Sequence, residues 1–299
     1  MAKTTEGSRS VARAKTSDRL GTCVVARDGD GGPVKIARVL LAFAGLTMFA
    51  ASASARGDDT KVEQSVWNGY ARLDFTVASR PCLLVVPANP APGKPWIWRT
   101  EFFGHEPQAD LALLARGWHV AYMDAQNMYG APKAIALFGQ FYAHLVARYG
   151  LARRVVLEGF SRGGLYAFNF AATHPTRVAA LYLDAPVLDI RSWPTPKREK
   201  EWRGALDSYG LTEESLKVFK GNPLDRMQPV LRAGIPIIVV VGAADTGVPV
   251  PENTAILEKY YREHGGTIEV ISKPGGGHHP HSLKDPAPIV DFLIKNARF

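Results

Sequence analysis

Arg154-Val155-Val156-Leu157-Glu158-Gly159-Phe160-Ser161-Arg162-Gly163-Gly164 is followed by Leu165-Tyr166-Ala167-Phe168-Asn169-Phe170-Ala171-Ala172. The first five residues read as a buried strand and the last eight as a helix. Between them lies G-x-S-x-G at a strand-to-helix turn, where a serine hydroxyl is held exposed above a sheet edge. Side chains at 159 and 163 would collide with the neighbouring strand and helix. The turn also places Ser161 at a helix N-terminus. There the dipole and the backbone N–H of Arg162 can stabilise a developing oxyanion.

Working outward, strand-like runs alternate with helical patterns, which argues for a parallel α/β sheet. The expected strands are Leu73–Val77, Cys82–Pro87, Trp96–Phe102, His119–Asp124, Arg154–Gly159, Ala179–Asp184, Pro236–Val241 and Thr267–Lys273. The expected fold is therefore α/β: a mostly parallel eight-stranded sheet flanked by helices. From 188 to 233 the alternation stops, and three Trp- or Tyr-bearing helical patches suggest a small helical cap inserted between two strands. No linker marks a second domain, so 56–299 is expected to be one domain.

A serine nucleophile needs a base, and the base an orienting acid. Gly275-Gly276-Gly277-His278-His279-Pro280-His281 lies after the last strand, on the same sheet edge as Ser161. His278 follows the glycine run directly and is the first candidate; His279 and His281 stay open. Asp245, a few residues beyond the apolar run Pro236–Val241, is the candidate acid, with Asp184 as the alternative. The three histidines also suggest a metal cluster. The adjacent Pro280 and the lack of a matching carboxylate motif argue against it, so no metal is expected.

These motifs resemble the α/β-hydrolase superfamily over roughly residues 70–299. Within it the chain is similar to the secreted esterase, dienelactone-hydrolase and prolyl-oligopeptidase-like branches. The resemblance implies a Ser161–His278–Asp245 triad, an acyl-enzyme intermediate and no cofactor. The chain departs from the pattern at the second oxyanion donor. Lipases and esterases carry a His-Gly pair there, but this chain has Arg99-Thr100-Glu101-Phe102-Phe103-Gly104-His105. A backbone N–H around Phe102 or Phe103, taken as Phe103, would act with that of Arg162. Arg99, Glu101 and His105 put polar groups beside that loop and are expected to bind substrate, as is Trp193 from the cap. Trp96 and Trp98 are expected either to line the pocket or to pack the core. Arginine after the nucleophile also occurs in esterases acting on glucuronate esters. A carbohydrate-linked or small-molecule ester is the expected substrate. The alternatives are a serine peptidase of the prolyl-oligopeptidase type and a non-catalytic binding protein on the same fold. The roughly 244 residues expected after processing leave no room for the gating domain such peptidases usually carry.

Composition is that of an ordinary globular chain: 299 residues, 46% hydrophobic and 21% charged. Two cysteines exclude a disulfide scaffold or a cysteine-held metal. Of the net +8, residues 1–55 contribute eight Lys/Arg and four Asp/Glu, leaving +4 for the rest with no basic stripe; nucleic acid is not an expected partner. Lys35-Ile36-Ala37-Arg38, the apolar run Val39 to Ala50 and Ala51-Ser52-Ala53-Ser54-Ala55 have the order of a secretory signal. Residues 1–55 are thus expected to be a removed leader, cleaved near Ala53 or Ala55. The product would be secreted or periplasmic, with no membrane anchor. The long polar stretch before Lys35 suggests a true start near Val34.

Overall fold

The computed structural model describes residues 61–299. The expected leader lies outside the described residues. The sheet has nine strands: β1 (Glu63–Trp67), β2 (Tyr70–Val77), β3 (Arg80–Val86), β4 (Trp96–Arg99), β5 (His119–Met123), β6 (Val155–Phe160), β7 (Val178–Asp184), β8 (Ile237–Gly242) and β9 (Ile268–Lys273). Their spatial order is β1-β2-β3-β5-β4-β6-β7-β8-β9. β1, β2, β3 and β5 pair antiparallel; every pairing from β5–β4 to β8–β9 is parallel. The ninth strand is the difference from expectation. β1 is an edge strand with four of its five residues exposed, so it carries no apolar alternation to reveal it.

Successive residues of the central strands feed opposite cores, as a two-residue period requires. Ile237, Val239 and Val241 of β8 join Trp96, Trp98 and Leu157 on one face, while Ile238 and Val240 join Ile97, Val156 and Phe160 on the other. The first face is covered by α2 (Pro132–Tyr149), α3 (Gly163–Thr173) and α7 (Thr254–Glu263), the second by α1 (Gln108–Leu114) and α8 (Ala287–Asn296). Trp96 and Trp98 are fully buried, so they pack the core and do not line a pocket. Trp98 sits 4.4 Å from the Phe138 ring and 5.0 Å from that of Phe141. Cys82 is buried in β3, and burial pushes its thiol up to about 12.

Between β7 and β8 the chain forms α4 (Glu199–Tyr209), α5 (Glu213–Lys217) and α6 (Met227–Arg232). Within the expected helical cap, residues 191–198 are turn and bend and not helix; Pro194 and Pro196 withhold the N–H groups a helix there would need. Among the described residues, no helix is long and apolar enough to cross a membrane.

Candidate active site

β6 ends at Phe160 and α3 begins at Gly163, so the turn between them is only Ser161 and Arg162. So tight a reversal drives Ser161 to φ +49°, the left-handed region that a non-glycine residue occupies only under constraint. The constraint is visible: Ser161 N–H donates to Asp184 O, and Ser161 O accepts from Gly164 N and Val187 N. A Cβ on Gly159 would stand 2.8 Å from Gly163 O, and one on Gly164 2.7 Å from the Pro186 side chain. Gly163 has more room, 3.2 Å to Thr100 Oγ1, so the tighter contact on the helix side is at Gly164.

The loop after β9 carries His278 to this turn. His278 Nε2 accepts from Ser161 Oγ at 2.9 Å, and Nδ1–H donates to Asp245 Oδ2 at 2.8 Å. The tautomer follows from its partners, because an ionised carboxylate can only accept. Asp245 is fixed in turn: its Oδ1 accepts from the backbone N–H groups of Gly247 (2.8 Å) and Val248 (2.9 Å). Gly242, at the end of β8, makes the approach possible. A Cβ there would lie 2.1 Å from Gly277 O, so any side chain would push away the loop that bears His278. This was not readable from the sequence, where Gly242 looks like an ordinary strand end.

The open alternatives fall elsewhere. His279 is exposed. His281 is buried, with Nδ1–H donating to Asp184 Oδ1 at 2.8 Å and its ring 5.1 Å from Phe160. Asp184 also accepts from Ser282 N–H (2.7 Å) and Tyr182 OH (3.2 Å). Asp184 thus ties down the far end of the histidine loop and does not meet His278.

The loop after β4 needs correction. Arg99 and Glu101 were expected to meet substrate, yet each is 1% exposed. The Arg99 guanidinium contacts Asp110 (2.7 Å) and Glu158 (2.8 Å) and lies 4.3 Å over the Phe160 ring. Burial, with Asp110 beside it, holds the Glu158 carboxyl well above its ordinary range despite Arg99. The other arm of Arg99 donates to His105 O (2.7 Å) and Phe102 O (3.3 Å). It is therefore an internal brace for the loop. Arg99→Met would leave the buried Asp110 and Glu158 carboxyl groups without their cation and hydrogen-bond donor and should lower unfolding free energy by about 3–5 kcal/mol in urea titrations. A substrate-binding residue would instead raise KM at unchanged stability.

Glu101 binds Arg162, whose Nε donates to it at 2.7 Å. Burial pushes the Glu101 carboxyl up to about 7, against the pull of that guanidinium. Arg162 also donates to Asn127 Oδ1 (3.1 Å) and lies 5.2 Å over the Phe102 ring. Its backbone N–H sits at the start of α3, among the positions that have no intrahelical partner. Phe102 has φ +56°. The Phe103 ring packs 4.8 Å from Trp67 and 5.7 Å from Tyr122. His105 is exposed at the rim, and Trp193 is half-buried with its ring 6.3 Å from Tyr129.

A cleft of about 520 Å³ is lined by Phe102, Phe103, His105, Tyr122, Asp124 and Gln126, together with Arg72 and Asp74; neither Ser161 nor His278 is among its lining residues, and Phe102 and His105 connect it to the loop after β4. Phe102 separates it from Arg162. Asn127, Tyr122 and Gln126 had no motif to mark them in the sequence.

Comparison with known proteins agrees with this architecture. No curated protein matches the chain in sequence. Among solved structures it is similar to an S-formylglutathione hydrolase from Agrobacterium tumefaciens, with TM-score 0.54 and 14% identity over 79% of this chain and 96% of that one. The carboxylesterase Cest-2923 from Lactobacillus plantarum WCFS1 gives TM-score 0.54 and 17% identity, over 79% and 97%. An acylaminoacyl peptidase from Pyrococcus horikoshii gives TM-score 0.58 and 11% identity, over 80% of this chain but 42% of its own. At these identities the likeness is one of fold. The sequence profile of the prolyl oligopeptidase family, peptidase S9, matches residues 138–298, more than half of the chain. That stretch runs from α2 to the end of α8 and contains Ser161, Asp245 and His278, so the chain is a serine hydrolase of the α/β-hydrolase superfamily and belongs to the prolyl oligopeptidase family.

Proposed function

We propose that the protein is a secreted ester hydrolase acting on polar, carbohydrate-linked esters through Ser161, His278 and Asp245. The observation that carries the reading is the continuous hydrogen-bond chain Ser161 Oγ–His278–Asp245 at 2.9 and 2.8 Å. Ser161 Oγ attacks the acyl carbonyl while its proton passes to His278 Nε2. Asp245, held by two backbone N–H groups, stabilises the imidazolium. The tetrahedral oxyanion is met by the Arg162 N–H at the start of α3 and by a second N–H from the Phe102–Phe103 segment. The imidazolium then protonates the leaving alcohol. Water, deprotonated by the same nitrogen, releases the acyl group and frees Ser161.

The substrate class rests on the cleft. Phe102 and Phe103 offer flat apolar faces, while Tyr122, Asp124 and Gln126 offer hydroxyl-directed donors and acceptors. A sugar presents the matching combination of C–H faces and hydroxyls; a long acyl tail does not. Residues 188–233, with Trp193 beside Tyr129, would roof the other side. Secretion is supported by the leader-like order of residues 35–55.

The test is a panel of p-nitrophenyl esters, acetylated or uronate-esterified saccharides, and aminoacyl nitroanilides. The expected result is hydrolysis of esters, with higher kcat/KM for the saccharide-linked ones. Preferential cleavage of the nitroanilides would replace the ester reading by a peptidase one.

A further inference from the structure

His278, His279 and His281 each bring one ring nitrogen into a group in which no pair is further apart than 4.8 Å. Their ring centroids are 4.7 to 4.9 Å apart. His105 stands alongside, 6.1 Å from the His279 ring and 6.0 Å from that of His281. Two of these imidazoles already have the arrangement of metal ligands, which usually donate the second ring N–H to a carboxylate. His278 Nδ1–H is held by Asp245 and His281 Nδ1–H by Asp184, both at 2.8 Å. In both rings this leaves Nε2 as the nitrogen with the lone pair, that of His278 accepting from Ser161 Oγ. Neither carboxylate neighbours the histidines in sequence: Asp184 ends β7, and Asp245 follows β8. A tetrahedral zinc ion wants its nitrogens about 3.3 Å apart. The group must therefore contract, and exposed His279, at the loop surface, is the member free to turn inward.

We infer that His278, His279 and His281 form a site for a divalent transition ion of zinc's type, and that its occupation switches hydrolysis off. Imidazole nitrogen suits such ions, whereas Mg²⁺ and Ca²⁺ prefer oxygen. The switch follows from one lone pair having two uses. His278 Nε2 accepts from Ser161 Oγ at 2.9 Å. Once that lone pair is donated to a metal, it cannot take the serine proton. Coordination exchanges metal-bound water for imidazole, involves no electron transfer, and leaves Nδ1–H on Asp245. The inference rests on His278 being the base of the proposed reaction.

The full chain, stripped of metal, should lose ester hydrolysis on titration with Zn²⁺ and regain it fully with EDTA. Equal Mg²⁺ or Ca²⁺ should have no effect. His279→Ala should keep the metal-free rate yet need at least about tenfold more Zn²⁺ for the same inhibition, the loss that even an outer partner of a metal ligand produces. Calorimetry on Ser161→Ala should show one Zn²⁺ per chain, weakened by at least the same factor when His279→Ala is added. Absence of Zn²⁺ binding to Ser161→Ala, or equal Zn²⁺ sensitivity of His279→Ala and the parent, would overturn the inference. Continued hydrolysis by Ser161→Ala would instead refute the reaction scheme, while the calorimetry would still decide the metal site.

Discussion

Ser161→Ala should lower ester turnover by roughly 10⁴–10⁶-fold while leaving the melting temperature within a degree or so of the parent. Removing Oγ deletes the atom that the proposed scheme uses to form the acyl-enzyme bond. What remains is the oxyanion donors and binding, which supply only a small residue of catalysis. Stability should hardly move, because Ser161 is anchored through its backbone to Asp184, Gly164 and Val187, and alanine keeps those bonds. The left-handed backbone at φ +49° is equally strained for both residues. Steady-state kinetics with a chromogenic ester, alongside thermal melts, checks both halves. Near-parental turnover in a folded variant would mean that another residue is the nucleophile.

The second large effect separates three neighbouring histidines. His278→Ala should match Ser161→Ala in severity, because serine is a poor nucleophile unless a base removes its proton. His279→Ala should retain most of the activity, since its ring is exposed and makes no hydrogen bond to Ser161 or Asp245 in the described structure. His281→Ala should behave differently from both. It leaves the buried Asp184 carboxylate with one partner fewer, a loss of about 1–3 kcal/mol in stability. Activity should then fall through loosening of the loop, with kcat reduced and the pH profile unshifted. Kinetics and urea unfolding of the three variants give the comparison. His279→Ala as crippling as His278→Ala would contradict the assignment.

The parts of this arrangement that were legible in the sequence are those encoded locally. The elbow is a contiguous run of strand, glycine, serine, glycine and helix, and crowding within a few ångströms imposes glycine at 159 and at 164, with more room at 163. Asp245 and the histidine loop were placed by their position after an expected strand, because a parallel sheet sends all such turns to one edge. The misreadings came from pairings distant in sequence. Arg99 next to a loop looks like a substrate contact until Glu158, 59 residues away, and Asp110 take its guanidinium into the core. Glu101 and Arg162 pair across 61 residues. His281 and Asp184 meet across 97, so the sequence could not separate a loop anchor from a base. β1 was missed because an exposed edge strand needs no apolar pattern.

The central claim is that Ser161 is the reactive nucleophile. Treating the purified chain with a fluorophosphonate and mapping the adduct by peptide mass spectrometry tests it most directly. One adduct per chain on Ser161 is expected, forming in step with loss of hydrolysis and suppressed in His278→Ala. An inactivated enzyme with Ser161 unmodified, or with its adduct on another residue, would contradict the account.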